Sequence, residues 1–430
     1  MKRKIYDNLV AWKNKSERMP LIVNGARQVG KSYILQKFGK QEFDNYIILN
    51  LETDKALREK FEVDITPKPI IQYLESSHSQ RIIPEKTLII FDEIQACEKA
   101  LTSLKYFCEQ MPEYHVVAAG SLLGVAINRN KYSFPVGKVD EITLYPMDFE
   151  EFLWALSREN IADLILEHYN SNEPLDIHSL CIDLYNKYLI VGGMPAAVKE
   201  YINTESFISV ADIQNRILNE YIADMAKYSD PSVNIKIRAC YDVIPSQLAK
   251  ENRKFQYSVV QKGGSVTIFG ESIEWLKYAG IVLKCQKIMH GMMPLKIHVN
   301  LSDFKLYMSD TGMLVMQAGV VAQAILSPVE TNNSFIGAIA ENYVAQALTT
   351  NLIPLYYWKN ENTAEVDFVL QKGTEIIPIE VKAGMRVHSK SLNLFMEKYK
   401  CPYGIRLSKK NFGFENKIKS APLYAAFCII

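Results

Sequence analysis

The chain is poor in several signals, and each shortage excludes something. No apolar run approaches the roughly 20 residues that a membrane-spanning helix needs, so no contact with a membrane is expected. The start, Met1-Lys2-Arg3-Lys4, is basic but lacks the apolar stretch of a signal peptide. The seven cysteines are scattered, with no CxxC pair and no metal-ligand spacing. That argues against a disulfide framework and a cysteine zinc site, and for reduced, mostly buried thiols in the cytoplasm. Net charge is only +1 over 430 residues. What is present is ordinary for globular proteins: 48% hydrophobic and 23% charged residues. Such a length leads to an expectation of about three domains.

The most informative stretch is Gly25-Ala26-Arg27-Gln28-Val29-Gly30-Lys31-Ser32. It follows the apolar run Leu21-Ile22-Val23 and precedes a helix-like segment from Tyr33. Strand, glycine loop and helix in that order form the phosphate-binding P-loop pattern. Glycines at both ends let backbone N–H groups turn inward around a phosphate, which the helix N-terminus also attracts. Lys31 is then expected on the β- and γ-phosphates of ATP, and Ser32 on Mg2+. Downstream, Leu88-Ile89-Ile90-Phe91 runs into Asp92-Glu93, which reads as a buried parallel strand ending at a site. Asp92 is the expected ion-holding carboxylate, and Glu93 the base that deprotonates the attacking water. An adjacent acid pair suits water attack better than phosphate transfer to a metabolite. A further strand, His115 to Ala119, ends at Gly120-Ser121. Ser121 is a candidate phosphate sensor at the carboxyl edge of the sheet, or else a turn serine.

GARQVGKS, LIIFDEIQ and AAGSLLG, followed by FPVGKVDEITLYPMDFEEFL, resemble the AAA-type ATPases of bacteria and archaea that carry a C-terminal endonuclease-like domain. The resemblance implies an α/β fold: a five-stranded parallel P-loop ATPase sheet, a helical lid, a winged helix and a restriction-endonuclease-like α/β domain. It implies domains at 1–150, 151–230, 231–312 and 326–430. Many relatives carry an arginine where this chain has Lys138, and lysine cannot make arginine's bidentate phosphate fork. Arg129 and Lys131 are alternative cations. Related ATPases often form rings, so an oligomer is open.

Residues 149–227 read as helices, broken sharply at Val191-Gly192-Gly193-Met194-Pro195. Strand-like runs at Ile281 to Ile288 and Leu295 to Leu301 suggest a hairpin after helices, as in a winged helix. Its methionine-rich tip favours packing or partner contact over DNA. Residues 303–312 match a recurrent family segment with no evident physical role.

In the last hundred residues an amphipathic helix carries Glu341, and two strand-like runs carry Asp367 and Glu380-Val381-Lys382. Glu380 and Lys382 are two apart, hence on one face. This order resembles the PD-(D/E)xK nuclease core, with Val366 where the fold's proline would stand. Glu341, Asp367 and Glu380 are then expected to hold a metal, and Lys382 to steer water. Between Lys382 and Lys419 ten Lys/Arg face two acids, a local charge of +8. DNA or RNA is therefore a candidate partner, with Arg386, His388 and Lys390 beside the proposed scissile position. The expected function is Mg2+-dependent ATP hydrolysis coupled to a nucleic-acid-binding domain open to nucleolytic action. The alternative is a nucleotide-controlled interaction switch with an inactive nuclease-like domain.

Overall fold

The computed structural model describes residues 1–121, 134–227, 231–327, 333–360, 364–384 and 390–430. They divide into two compact units, Met1–Tyr145 with Tyr278–Gly280, and Pro146–Lys277 with Ile281–Ile430.

Among its described residues, the first unit holds one five-stranded sheet: β1 (Leu21–Asn24), β2 (Asn45–Asn50), β3 (Thr87–Asp92), β4 (His115–Ala119) and β5 (Asp140–Thr143). The order is β2-β3-β4-β1-β5, and every pairing is parallel. Parallel strands need crossover connections, here helices, which cover the faces and bury the strands. β3 is accordingly buried at all six positions. On one face Ile22, Leu49, Ile89, Phe91 and Val116 pack with Leu57, Phe61, Ile70, Leu104 and Phe107 from the helices Lys55–Val63, Pro67–His78 and Glu98–Gln110. Because all strands run one way, their carboxyl ends form a single edge. The glycine loop after β1, the acid pair at the end of β3 and Ser121 after β4 all emerge there.

The second unit opens with helices, Phe149–Ala155, Glu159–Ser171, His178–Val191, Pro195–Thr204 and Phe207–Lys227. It then builds two sheets. One has the order β7-β6-β8-β9, from β6 (Val282–Ile288), β7 (Val299–Met308), β8 (Tyr356–Lys359) and β9 (Glu365–Val366). The other has the order β10-β11-β12-β14-β13, from β10 (Phe368–Lys372), β11 (Glu375–Val381), β12 (Gly404–Ser408), β13 (Gly413–Glu415) and β14 (Ile418–Pro422). The β10–β11 pair is antiparallel. β11 and β12 are parallel, joined across the helix Lys390–Tyr399.

The expected hairpin exists, with two differences. Leu295–His298 is a short 3-10 turn, and the second strand starts only at Val299 and runs to Met308. Leu295 N donates to the Gln371 side chain at 3.1 Å, so this backbone is engaged outside the ladder. The hairpin is also not free: β6 pairs in parallel with β8, which makes it half of a sheet with the C-terminal strands.

Segment 303–312 acquires a role from packing. Its apolar half is the buried end of β7. Asp310 then caps the helix Thr311–Gln317, with Oδ1 accepting from Met313 N at 2.8 Å, while Oδ2 accepts from Gly193 N at 2.5 Å. The Gly-Gly break is thus where Asp310 docks on the helical segment. Burial pushes the Asp310 carboxyl up to about 6, against the pull of the N–H donors.

Candidate nucleotide site and the C-terminal carboxylates

The loop after β1 needs both of its glycines. A Cβ on Gly25 would strike the Leu144 carbonyl, and Gly30 has φ 94° just before the helix Lys31–Glu42. Lys31 is buried, and its Nζ donates to Gly25 O at 2.8 Å and Ala26 O at 2.9 Å. The ammonium thereby lies against carbonyls of its own loop. Ser32 Oγ donates to Asp92 Oδ2 at 2.7 Å across 60 positions of sequence. Magnesium takes hard oxygen ligands, and these two oxygens stand side by side at the loop, so this donor set suits that ion.

Glu93 has φ 51° and ψ 45°, a left-handed conformation uncommon outside glycine and frequent at functional sites. Its backbone N–H donates to Asp92 Oδ1 at 3.1 Å. Its Oε2 accepts from Gln95 Nε2 at 2.6 Å and lies 3.5 Å from Ser121 Oγ. Ser121 therefore reaches the acid pair, although 28 positions separate it from Glu93.

The C-terminal acids fall into two groups. Glu341 lies on the helix Asn333–Thr350 and is 0% exposed. Its Oε1 accepts from Lys305 Nζ at 2.9 Å and from the Tyr307 hydroxyl, and its Oε2 is paired with Arg253. Lys305, 1% exposed, also pairs with Glu365 at 2.7 Å, and Glu365 pairs with Lys359 at 2.8 Å. Burial pushes the Glu365 carboxyl up, but Lys305 and Lys359 prevail and hold it down to about 2. Neighbouring positions of the same helix are polar and buried too. Asn342 bonds both backbone groups of Met308, and Gln346 accepts from Thr311 N at 3.0 Å.

Asp367 sits at the bend between β9 and β10, and its Oδ2 accepts from Val381 N at 2.7 Å. Glu380, buried, pairs with Lys382 at 3.2 Å. The fold thus brings Asp367 beside the Glu380–Lys382 strand end but commits Glu341 to its cations. Among the described residues no three His, Cys, Asp or Glu side chains are grouped to hold a metal. Of the expected set Glu341, Asp367 and Glu380, the fold pairs Glu341 with Lys305 and Arg253 in the protein core.

The basic segment is partly consumed by packing. Lys419 Nζ lies 3.8 Å from the Tyr169 ring centroid, and Lys398 Nζ lies 5.6 Å from that of Trp358. Lys390, Lys400, Lys410 and Lys417 are exposed. Arg386 and His388 lie outside the described residues, as do Arg129 and Lys131.

Residues 17–153 match the family model of the AAA domain. The parallel sheet and its P-loop accord with that match. Two further stretches match models described as domains of unknown function, residues 182–324 (DUF8612) and 336–425 (DUF4143). No curated protein matches the chain. Among solved structures, the Walker-type ATPase of Pyrococcus abyssi is 14% identical, with 74% of this chain and 95% of that one covered and a TM-score of 0.46. The ORC2 protein of Aeropyrum pernix, in ADPNP and ADP complexes, is 12% identical over 78% of this chain and 91% of its own, with a TM-score of 0.38.

Within the AAA domain, Lys138 Nζ is paired with Glu109 at 3.1 Å, so its charge is already met inside the unit. Arg3 had no local signal, yet it braces the loop. Its guanidinium donates to Val29 O at 2.9 Å and Tyr145 O at 2.6 Å, 26 and 142 positions away. Gln95 is the other residue that motif reading passed over, although it closes the run LIIFDEIQ.

Proposed function

We propose that the AAA domain binds ATP with Mg2+ and hydrolyses it, and that its nucleotide state governs a C-terminal domain that binds nucleic acid. The Ser32–Asp92 bond carries the first half. It joins the phosphate loop to the acid strand, so that a phosphate cradle, an ion-holding pair and a candidate base share one sheet edge. Lys31 would leave its loop carbonyls for the β- and γ-phosphates, with the amides of residues 25–32 around them. Ser32 and Asp92 would hold the magnesium ion, which when bound supplies charge neutralisation at the phosphates. Glu93 would take the proton of the attacking water, with Ser121 beside it as the sensing hydroxyl. The domain bounds follow the reading above: ATPase 1–150, helical lid 151–230, winged-helix-like region 231–312, nuclease-like domain 326–430. A cytoplasmic setting accords with seven free cysteines, six of them buried.

For the second half, the sequence of helix, β10, β11, helix and β12 supports a PD-(D/E)xK-like core, and the exposed lysines support binding of a phosphate backbone. The commitment of Glu341 favours binding over cutting. Cutting stays a second reading because Asp367 adjoins Glu380 and Lys382.

Phosphate release measured on wild type, Lys31→Ala and Glu93→Gln tests the ATPase. Both variants should lose turnover, Glu93→Gln with ATP binding retained. Unchanged turnover in Lys31→Ala would reject the assigned loop. Gel-shift assays with DNA and RNA, with and without a non-hydrolysable ATP analogue, test the coupling. Plasmid nicking in Mg2+ or Mn2+ that vanishes in Asp367→Ala would establish cutting in place of binding alone.

A further inference from the structure

We infer that Gln95 is a further residue of the hydrolytic centre, one that holds Glu93 and positions the attacking water. The inference rests on the reading of the first unit as an ATP hydrolase. Two observations support it, and neither depends on the P-loop motif.

The first is the contact itself. A carboxylate can only accept hydrogen bonds, so the amide must turn its NH2 toward Glu93. Gln95 Nε2 does so at 2.6 Å, closer than the Ser121 hydroxyl at 3.5 Å. Gln95 lies in the one-turn 3-10 segment Ile94–Ala96, directly after the left-handed Glu93. The tight turn folds the chain back so that a side chain two positions on reaches the carboxylate.

The second is what this orientation leaves over. Gln95 is 7% exposed, and its Oε1 is buried without a hydrogen-bond partner among the described residues. A buried carbonyl oxygen with nothing to accept from is destabilising. In folded proteins an ordered water commonly meets such an atom, and catalytic groups are among those left open for one. Oε1 and Nε2 share one carbon, so a water bonded to Oε1 on the side facing Nε2 would come within reach of the Glu93 carboxylate. Such a water would be held by two acceptors, one for each of its hydrogens. Its oxygen lone pair would then be free to attack.

The step balances simply. The water oxygen forms a bond to the γ-phosphorus while the bond from that phosphorus to the β,γ-bridging oxygen breaks. One water proton passes to the Glu93 carboxylate, and ADP departs with the bond's electron pair. Gln95 takes no proton. It accepts a hydrogen bond from the hydrogen that is not transferred, and its NH2 keeps Glu93 in place.

The test uses the full chain with Gln95→Ala and Gln95→Glu, beside wild type and Lys31→Ala. Three quantities are read: kcat and KM for ATP, affinity for a fluorescent ATP analogue, and melting temperature. Both Gln95 variants should lose roughly 10- to 100-fold in kcat, with KM and analogue affinity within about 2-fold of wild type, as expected when an interaction made in the transition state is removed. Gln95→Glu should be no better than alanine, since a second carboxylate cannot donate to the first. Wild-type kcat in Gln95→Ala would overturn the assignment. So would a rise in kcat, which would make Gln95 a brake. Parallel loss of affinity and melting temperature would make it structural and overturn it too. If wild type releases no more phosphate than Lys31→Ala, the ATPase reading itself fails, and that result is distinct from all the others.

Discussion

Glu341→Ala separates a metal ligand from a structural ion pair. In the structure this carboxylate is fully buried and meets Lys305, Tyr307 and Arg253. Truncation leaves the Tyr307 hydroxyl without its acceptor and Arg253 without its acid. Lys305 keeps one partner, Glu365 at 2.7 Å, which moderates the loss. Breaking a buried pair from one side costs about 3–5 kcal/mol, and the surviving Glu365 contact argues for the lower end. About 3 kcal/mol corresponds to a fall of roughly 6–12 °C in melting temperature. Scanning calorimetry measures it. A double-mutant cycle with Arg253→Ala should show non-additivity, because removing both charges leaves neither stranded. A melting temperature within about 1 °C of wild type, together with loss of metal-dependent cleavage, would refute this reasoning and make Glu341 a metal ligand.

His115 supplies a pH test. It is buried between Trp12 and Phe43, with ring centroids at 5.8 and 4.9 Å. Burial, then Arg18, push its imidazole down to about 4, from an ordinary value of 6.5. The unfolded chain therefore binds a proton that the folded one refuses between those values. Stability should fall as pH drops from 6.5 toward 4, by about 3 kcal/mol in the limit. His115→Phe should flatten that slope in urea titrations across this range; an unaltered slope would assign the acid sensitivity elsewhere. Asp310→Ala should lower stability by about 2–4 kcal/mol, combining a lost helix cap with a stranded Gly193 N–H. Chemical denaturation checks it, and a loss below about 0.5 kcal/mol would mean that the Gly193 contact contributes little.

Local signals made the first sheet legible. Each of β1 to β4 is an apolar run, and loop chemistry marks the start of the helix Lys31–Glu42, since glycine spacing and burial act over a few residues. The same holds for the break at Gly192-Gly193 and for the helix around Glu341. What spacing could not supply was partners. Glu341 stands where the resemblance implies a nuclease acid, yet whether a carboxylate meets a metal or a lysine depends on what the opposite strand presents. Lys305 and Tyr307, two apart on β7, present cations and hydroxyls 36 and 34 positions away.

The sequence by itself determined the strands and helices of the first sheet, and that a phosphate loop precedes an acid-tipped strand, because backbone preference and hydrophobic period are written locally. Tertiary structure alone decided which polar atoms meet. Arg3 reached the loop, Asp310 reached Gly193, Gln95 turned back on Glu93, and Glu341 was drawn into the core. Hydrogen bonds and ion pairs act over a few ångströms of space, and only the folded chain sets which residues lie that close.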